Sequence, residues 1–97
     1  MPQVHRNSDS RNCGATTTVV GQSTVFVNGL LVSVEGDPNS HGGGELDGSS
    51  NPGTILIEGK RLIVVGNHAS RDYRCEHEGH EHCDPIAVEG SPNITAY

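Results

Sequence analysis

Two loop segments of the sequence carry a potential zinc ligand at the same relative position. Cys13 lies four residues after Asp9, His41 lies four residues after Asp37, and each is followed by a glycine. Thiolate and imidazole are the two commonest zinc ligands in proteins. The recurrence of this pattern predicts that both side chains bind one metal ion.

A third loop, residues 68–83, contains more potential ligands than the other two. It offers Cys75, His77, His80, His82 and Cys83. Cys13 lies 11 residues before the strand entry at Thr24, and His41 lies 13 residues before the one at Thr54. The same distances counted back from Asn93 fall on His82 and His80, which favours these imidazoles over Cys75. Four protein ligands with no open position make a structural zinc site rather than a catalytic one. We therefore predict one structural zinc held by Cys13, His41 and two third-loop ligands, for which we select His80 and His82 and leave Cys75, His77 and Cys83 as alternatives.

The remaining cysteines and histidines have other expected roles. Three cysteines are an odd number, which favours a metal site over a disulfide framework. A bridge between Cys75 and Cys83 is the alternative, and a reducing cytosol would leave both thiols free. His5, His68 and His77 are expected to be solvated loop residues without a ligand role.

A small zinc enzyme is the alternative from another functional class. Glu76, Glu78 and Glu81 lie among the third-loop ligands and could act as a base beside a metal-bound water. The metalloprotease pattern is missing, however, because it needs His at position 81. A catalytic pocket also needs apolar walls, and only 32% of the chain is hydrophobic. We therefore predict no enzymatic activity and no catalytic residues.

The composition limits the elements that can position these ligands. A chain of 97 residues without Trp and with a single Phe can bury only a small core, so we predict one domain over residues 1–97. Thirteen glycines and five prolines favour strands and turns over long helices. The formal net charge of −6 disfavours nucleic acid as a partner. No apolar run of about 18 residues could span a bilayer, and we expect no secretory signal.

An internal repeat with a spacing of 30 residues supplies the expected elements. Residues 24–37 align with residues 54–67, and both glycines and most apolar positions are retained. In each copy two apolar runs flank an Asn-Gly or Glu-Gly pair, which predicts a β-hairpin. Residues 89–94 resemble residues 20–25 and form a third, incomplete copy. A lone hairpin is marginally stable, so we predict an all-β fold with pseudo-threefold packing of three units.

The sequence resembles the PAAR-repeat family, whose small members cap the central spikes of contractile injection machines. The resemblance rests on the Gly-Asp-x-x-x-His-Gly element at residues 36–42, on its variant at residues 9–14, and on the Ser-Thr-Val-x-Val-x-Gly strand at residues 23–29. It covers essentially the whole chain and is similar in particular to the spike-tip members of contractile-tailed phages. The tetrapeptide that names the family falls on residues 31–34 and 61–64, without its Pro or its Arg. Roles of those two residues are therefore not carried over.

The resemblance implies a fold, a partner and a location. The fold is a small pseudo-threefold cone of short hairpins and long loops, with zinc near its vertex. Its base docks on a trimeric β-helix spike, one monomer per trimer, and the core consists of Val25, Val27, Ile55, Ile57 and Ile94. The function is a non-enzymatic tip of a membrane-puncturing spike, in transient contact with the host outer membrane. The location is the baseplate spike of a virion, after synthesis in the host cytoplasm. The alternative within the family is a tip or adaptor of a bacterial type VI secretion spike.

Overall fold

The computed structural model describes residues 2–51, 55–75 and 82–96. Its strands, in those ranges, are two residues long and form two antiparallel hairpins: β1 (Phe26–Val27) with β2 (Leu30–Leu31), and β3 (Leu56–Ile57) with β4 (Lys60–Arg61). The same ranges contain no α-helix, and thus none long and apolar enough to cross a membrane. This architecture is compatible with the predicted all-β class.

Both hairpins close through a two-residue turn with left-handed backbone. Asn28 and Gly29 have φ of 54° and 80°, and Glu58 and Gly59 have φ of 51° and 81°. Two consecutive positive φ values are typical of a type I′ turn, which matches the twist of the flanking strands. The pairing register of the second hairpin is that of the first, shifted by 30 residues. The two predicted hairpins are therefore confirmed.

The two chain ends form a third antiparallel pairing that is equivalent to the hairpins. Three matching main-chain hydrogen bonds of 3.0 Å join Val4 N to Ile94 O, Val32 N to Val25 O, and Leu62 N to Ile55 O. A bridge between Gln3 and Thr95 continues the terminal pair. The third repeat, which is incomplete in the sequence, is thus completed by the N-terminal segment.

Three buried residues, one from each unit, close a ring of main-chain hydrogen bonds. The bonds run from His5 N to Ile63 O, from Ile63 N to Ser33 O and from Ser33 N to His5 O, at 2.9–3.0 Å. All three residues are fully buried. Each unit therefore donates to the next in a cycle, which relates the three units by an approximate threefold axis. The molecular extents of 34 × 25 × 24 Å, one long and two nearly equal, agree with such an axis.

The apolar core lies mainly on the returning segments, just after β2 and β4 and at the equivalent place in the N-terminal segment. Its members are Val4, Val32, Leu62, Val64 and Ala96, with Val27 and Ile57 packed against them. The predicted core was wrong for Val25, Ile55 and Ile94, which are 39%, 41% and 43% exposed. The returning segments converge on the threefold axis, so the three residues whose carbonyls accept hydrogen bonds from them remain on the outer side. A second buried cluster includes the ring residue Ile63, together with Leu46, Ala69 and Ala87.

Candidate metal centre

Each of the three loops begins with the same side-chain cap. The cap residues are Asp9, Asp37 and Asn67. A side-chain oxygen of each accepts a hydrogen bond of 2.8–2.9 Å from the main-chain N–H of the residue three positions earlier. The residue before each cap has a positive φ: 71° at Ser8, 93° at Gly36 and 100° at Gly66. The cap therefore fixes the direction in which each loop leaves the ring, and Ser8 adopts this conformation without the freedom of a glycine.

Beyond these caps, four side chains from the three loops come together. Cys13, His41, Asp72 and His82 present donor atoms that all lie within 4.8 Å of one another. Asp72 and His82 are buried, and Cys13 is 9% exposed. Asp72 Oδ2 lies 3.2 Å from His41 Nδ1 and 3.0 Å from His82 Nδ1. These four residues are close enough to hold a metal ion, and we refer to them as the donor cluster.

The donor cluster fits a tetrahedral ion such as zinc. With metal–nitrogen and metal–oxygen bonds of about 2.0 Å, two donors of a tetrahedral site lie about 3.3 Å apart. The distances from Asp72 Oδ2 to the two imidazole nitrogens are close to that value. One thiol, two imidazoles and one carboxylate are all ligand types that zinc accepts. The residues present can therefore supply all four ligands of a closed zinc site.

Hydrogen bonds keep Asp72 ionised within this buried position. Burial alone would raise the pKa of Asp72, but donation from His82, from Arg74 N, from His41 and from Asn39 holds that pKa well below its usual range. The carboxylate is therefore available to a cation at neutral pH.

A buried guanidinium adjoins the donor cluster. Arg11 donates to Gly44 O, to Asp37 O at 3.1 Å and to Thr17 Oγ1 at 3.0 Å. Burial lowers the pKa of Arg11 to about 10, against the opposing effect of nearby negative charges, so its charge persists at neutral pH. Burial also raises the pKa of the Cys13 thiol. Metal binding must displace the proton of that thiol.

Three consecutive glycines bring the His41 loop against the segment that carries Asp72. Residues 42–44 have φ of 91°, 70° and 67°, a conformation that side chains disfavour. A Cβ on Gly42 would also lie 2.5 Å from the ring of Tyr73. Tyr73 N donates to Gly42 O at 3.0 Å, which joins the two segments. The glycines thus permit the close approach that places His41 beside Asp72.

A disulfide joins Cys75 to Cys83. The expectation that the third-loop cysteines are free thiols was therefore wrong, and the alternative bridge is present. The physical reason is that Asp72 N donates to His82 O at 2.8 Å, which brings the two ends of the loop together. Cys13 remains a free, buried thiol.

The structure brings together three of the four predicted ligands, Cys13, His41 and His82. The fourth, His80, lies outside the described residues. Asp72 was not predicted, because the spacing of the repeats was applied to Cys and His alone. A signal for it exists: Asp72 lies five residues after the cap Asn67, one position beyond the spacing in the first two loops.

The histidines outside the donor cluster differ in burial and in their hydrogen-bond partners. The expectation of a solvated His5 was wrong, because its Nδ1 donates to Glu89 O at 2.6 Å and its Nε2 accepts from the Thr17 hydroxyl at 2.6 Å. His68 is exposed and lies 2.8 Å from Asp84 Oδ1. His77 lies outside the described residues.

No protein-family model matches this chain, and a comparison with curated proteins also finds no match.

Proposed function

We propose that this chain is the non-enzymatic tip of the membrane-puncturing spike of a contractile injection machine. Its partner is a trimeric β-helix spike, and one structural zinc stabilises it. The observation that carries the proposal is the cycle of main-chain hydrogen bonds among His5, Ser33 and Ile63. A single chain with three similar units offers similar edges to three identical chains, which suits one tip per trimer.

The hairpins supply a surface of similar chemistry in each unit. The exposed apolar side chains of these segments are Val25, Phe26, Ile55, Leu56 and Ile94, and we call this set the hairpin face. Val25, Ile55 and Ile94 occupy equivalent positions, because each accepts the same main-chain hydrogen bond from the returning segment. Exposed apolar side chains that recur at equivalent positions are suited to an interface with several identical chains. The hairpin face is therefore the surface that would dock on the spike.

The donor cluster lies on the loops, which leave the ring after the returning strands. A zinc ion there would connect Cys13 from the first loop, His41 from the second, and Asp72 with His82 from the third. Four protein ligands leave no position for a substrate, so the ion would act as a cross-link. Structural zinc contributes on the order of 10 kcal/mol in small metal-dependent folds, comparable with the stability of an ordinary domain. Such a cross-link suits a tip that must stay folded under load.

The test is the stoichiometry of docking. A trimeric β-helix fragment from the central spike of a contractile-tailed phage is mixed with the chain, and light scattering with size exclusion should show one monomer per trimer. Phe26→Asp with Leu56→Asp should abolish the complex, because a charge would be buried in the hairpin face. Val20→Asp, at an exposed position outside that face, is the matched control and should bind normally. Three monomers per trimer, or equal binding by both variants, would contradict the proposal.

A further inference from the structure

The donor cluster contains two pairs of ligands that are positioned by different means. Cys13 and His41 lie on separate loops, each four residues after a hydrogen-bonded cap. Asp72 and His82 instead lie at the two ends of one segment, and Asp72 N donates to His82 O at 2.8 Å. The geometry of the second pair therefore depends on what keeps the ends of that segment together.

The Cys75–Cys83 disulfide closes this same segment across a sequence separation of eight residues. Cys83 follows His82 directly, and Cys75 N donates to Asp72 O at 3.3 Å. Each half of the bridge is thus attached to one ligand of the pair. Cys75 is half-buried and Cys83 is exposed, so a reductant in solution can reach the bridge.

We propose that the oxidation state of Cys75 and Cys83 sets the metal affinity of the donor cluster. The disulfide gives the tight-binding state and the dithiol gives the weak-binding state. This inference rests on the proposed metal site. Without the bridge, the closure of the chain between Asp72 and His82 rests on hydrogen bonds such as Asp72 N to His82 O, and metal binding must supply the rest. Closing a loop of this size removes chain entropy that corresponds to a factor of roughly 10 to 100 in an equilibrium constant. We expect reduction to weaken zinc binding by that factor.

The redox step is a two-electron exchange at one S–S bond. Opening the bridge takes two electrons and two protons and yields two thiols. A water-soluble trialkylphosphine supplies the electrons and becomes a phosphine oxide with the oxygen of one water molecule, whose protons go to the thiols. Closing the bridge uses glutathione disulfide, which forms a mixed disulfide with one cysteine and leaves as two molecules of glutathione.

The experiment measures zinc affinity by competition with a chromophoric chelator, for the oxidised and the phosphine-treated full chain. The melting temperature of each zinc-loaded form is a second readout, and it should fall on reduction. Cys75→Ser with Cys83→Ser is the matched control: it should bind zinc with the affinity of the reduced chain and should not respond to phosphine. Cobalt substituted for zinc should show charge transfer from one thiolate, that of Cys13, in both oxidation states.

The possible results separate this inference from the metal site itself. Equal zinc affinity in the two oxidation states would overturn the coupling and leave the donor cluster intact. Tighter binding by the dithiol, or a second thiolate in the cobalt spectrum, would also overturn it, because a freed cysteine would then be a ligand. Absence of binding in every state would overturn both this inference and the proposed metal site.

Discussion

The main-chain N–H of Val4 donates to the carbonyl of Ile94 at 3.0 Å, and this bond makes the two chain ends equivalent to an internal hairpin. Val4 is also 3% exposed and belongs to the apolar core. The first residues of most domains tolerate change because they are poorly packed. In this chain the N-terminal segment is instead part of the threefold repeat.

Val4→Ala should therefore destabilise the protein as much as Val32→Ala, by about 1–3 kcal/mol each, since both remove buried methyl groups at equivalent positions. Val20 is 68% exposed, and Val20→Ala should change the free energy of unfolding by less than about 0.5 kcal/mol. Denaturant unfolding at fixed zinc saturation measures all three. A Val4 variant as stable as the Val20 variant would show that the terminal segment is not packed as described.

The assignment of Asp72 as a ligand predicts a specific loss of metal binding. The purified chain should hold one equivalent of zinc, and Asp72→Ala should lower its zinc affinity by about 100-fold or more. Asp84→Ala changes an exposed carboxylate that interacts with His68, so its zinc affinity should be unchanged. Elemental analysis and chelator competition measure both effects. Full affinity in the Asp72 variant would instead favour His80 as the fourth ligand.

The buried His5 predicts a loss of stability in mild acid. Burial lowers the pKa of His5 below 6.5, and the hydrogen bond to Glu89 O and the charges of Asp9 and Glu89 offset this only in part, while Arg11 adds to it. The unfolded chain therefore binds the proton more readily than the folded chain. Stability from this group is complete above pH 6.5 and declines as the pH falls toward the lowered pKa.

His5→Asn keeps a donor near Glu89 O but cannot bind a proton, so the free energy of unfolding should depend less on pH between 7 and 5. Val20 is 68% exposed and does not titrate, so Val20→Ala supplies the control and should keep the slope of the unmodified chain. Both variants retain the donor cluster, so the difference between their slopes reports on His5. Identical slopes would argue against a neutral, buried imidazole.

Gly66 and Ser8 each have a positive φ and precede a cap residue, and exchanging their residue types should change the stability of the protein in opposite directions. Gly66 has a φ of 100°, and a methyl group added there would meet open space, so Gly66→Ala tests backbone conformation alone. It should cost about 1–2 kcal/mol. Ser8 has a φ of 71° at the matching position, and Ser8→Gly should be neutral or stabilise by up to about 1 kcal/mol. Thermal unfolding compares the two, and a tolerated alanine at position 66 would contradict this account of the caps.

The proposed puncturing role predicts a defect in entry rather than in assembly. Particles without the tip should assemble but enter cells poorly, because the spike lacks its rigid point. A tip with Cys13→Ser and His41→Asn should be incorporated normally, yet its particles should also enter poorly, since it lacks the zinc cross-link. Entry is counted at equal particle number. Normal entry by both kinds of particle would exclude a mechanical role for the tip.

The sequence by itself determined the features that depend on neighbouring residues. The Asn28-Gly29 and Glu58-Gly59 pairs dictate tight turns, because their positive φ values are needed wherever the flanking strands pair. The spacing of the repeat therefore predicted both hairpins. The positions of Cys13 and His41 after their caps were also readable, since the cap bonds span only three residues.

Only the tertiary structure decided the contacts between residues that are far apart in the chain. The buried position of His5 depends on its hydrogen bond to Glu89 O. Because Glu89 lies 84 residues away in the sequence, no local pattern around His5 predicts this contact. The core lies on the returning segments because the three units converge there, and an isolated hairpin has no such convergence to decide which of its two sides is buried. The insertion in the third loop breaks the repeat spacing, so the pairing of its ends, and not the count of residues, places Asp72 beside His82 and forms the disulfide.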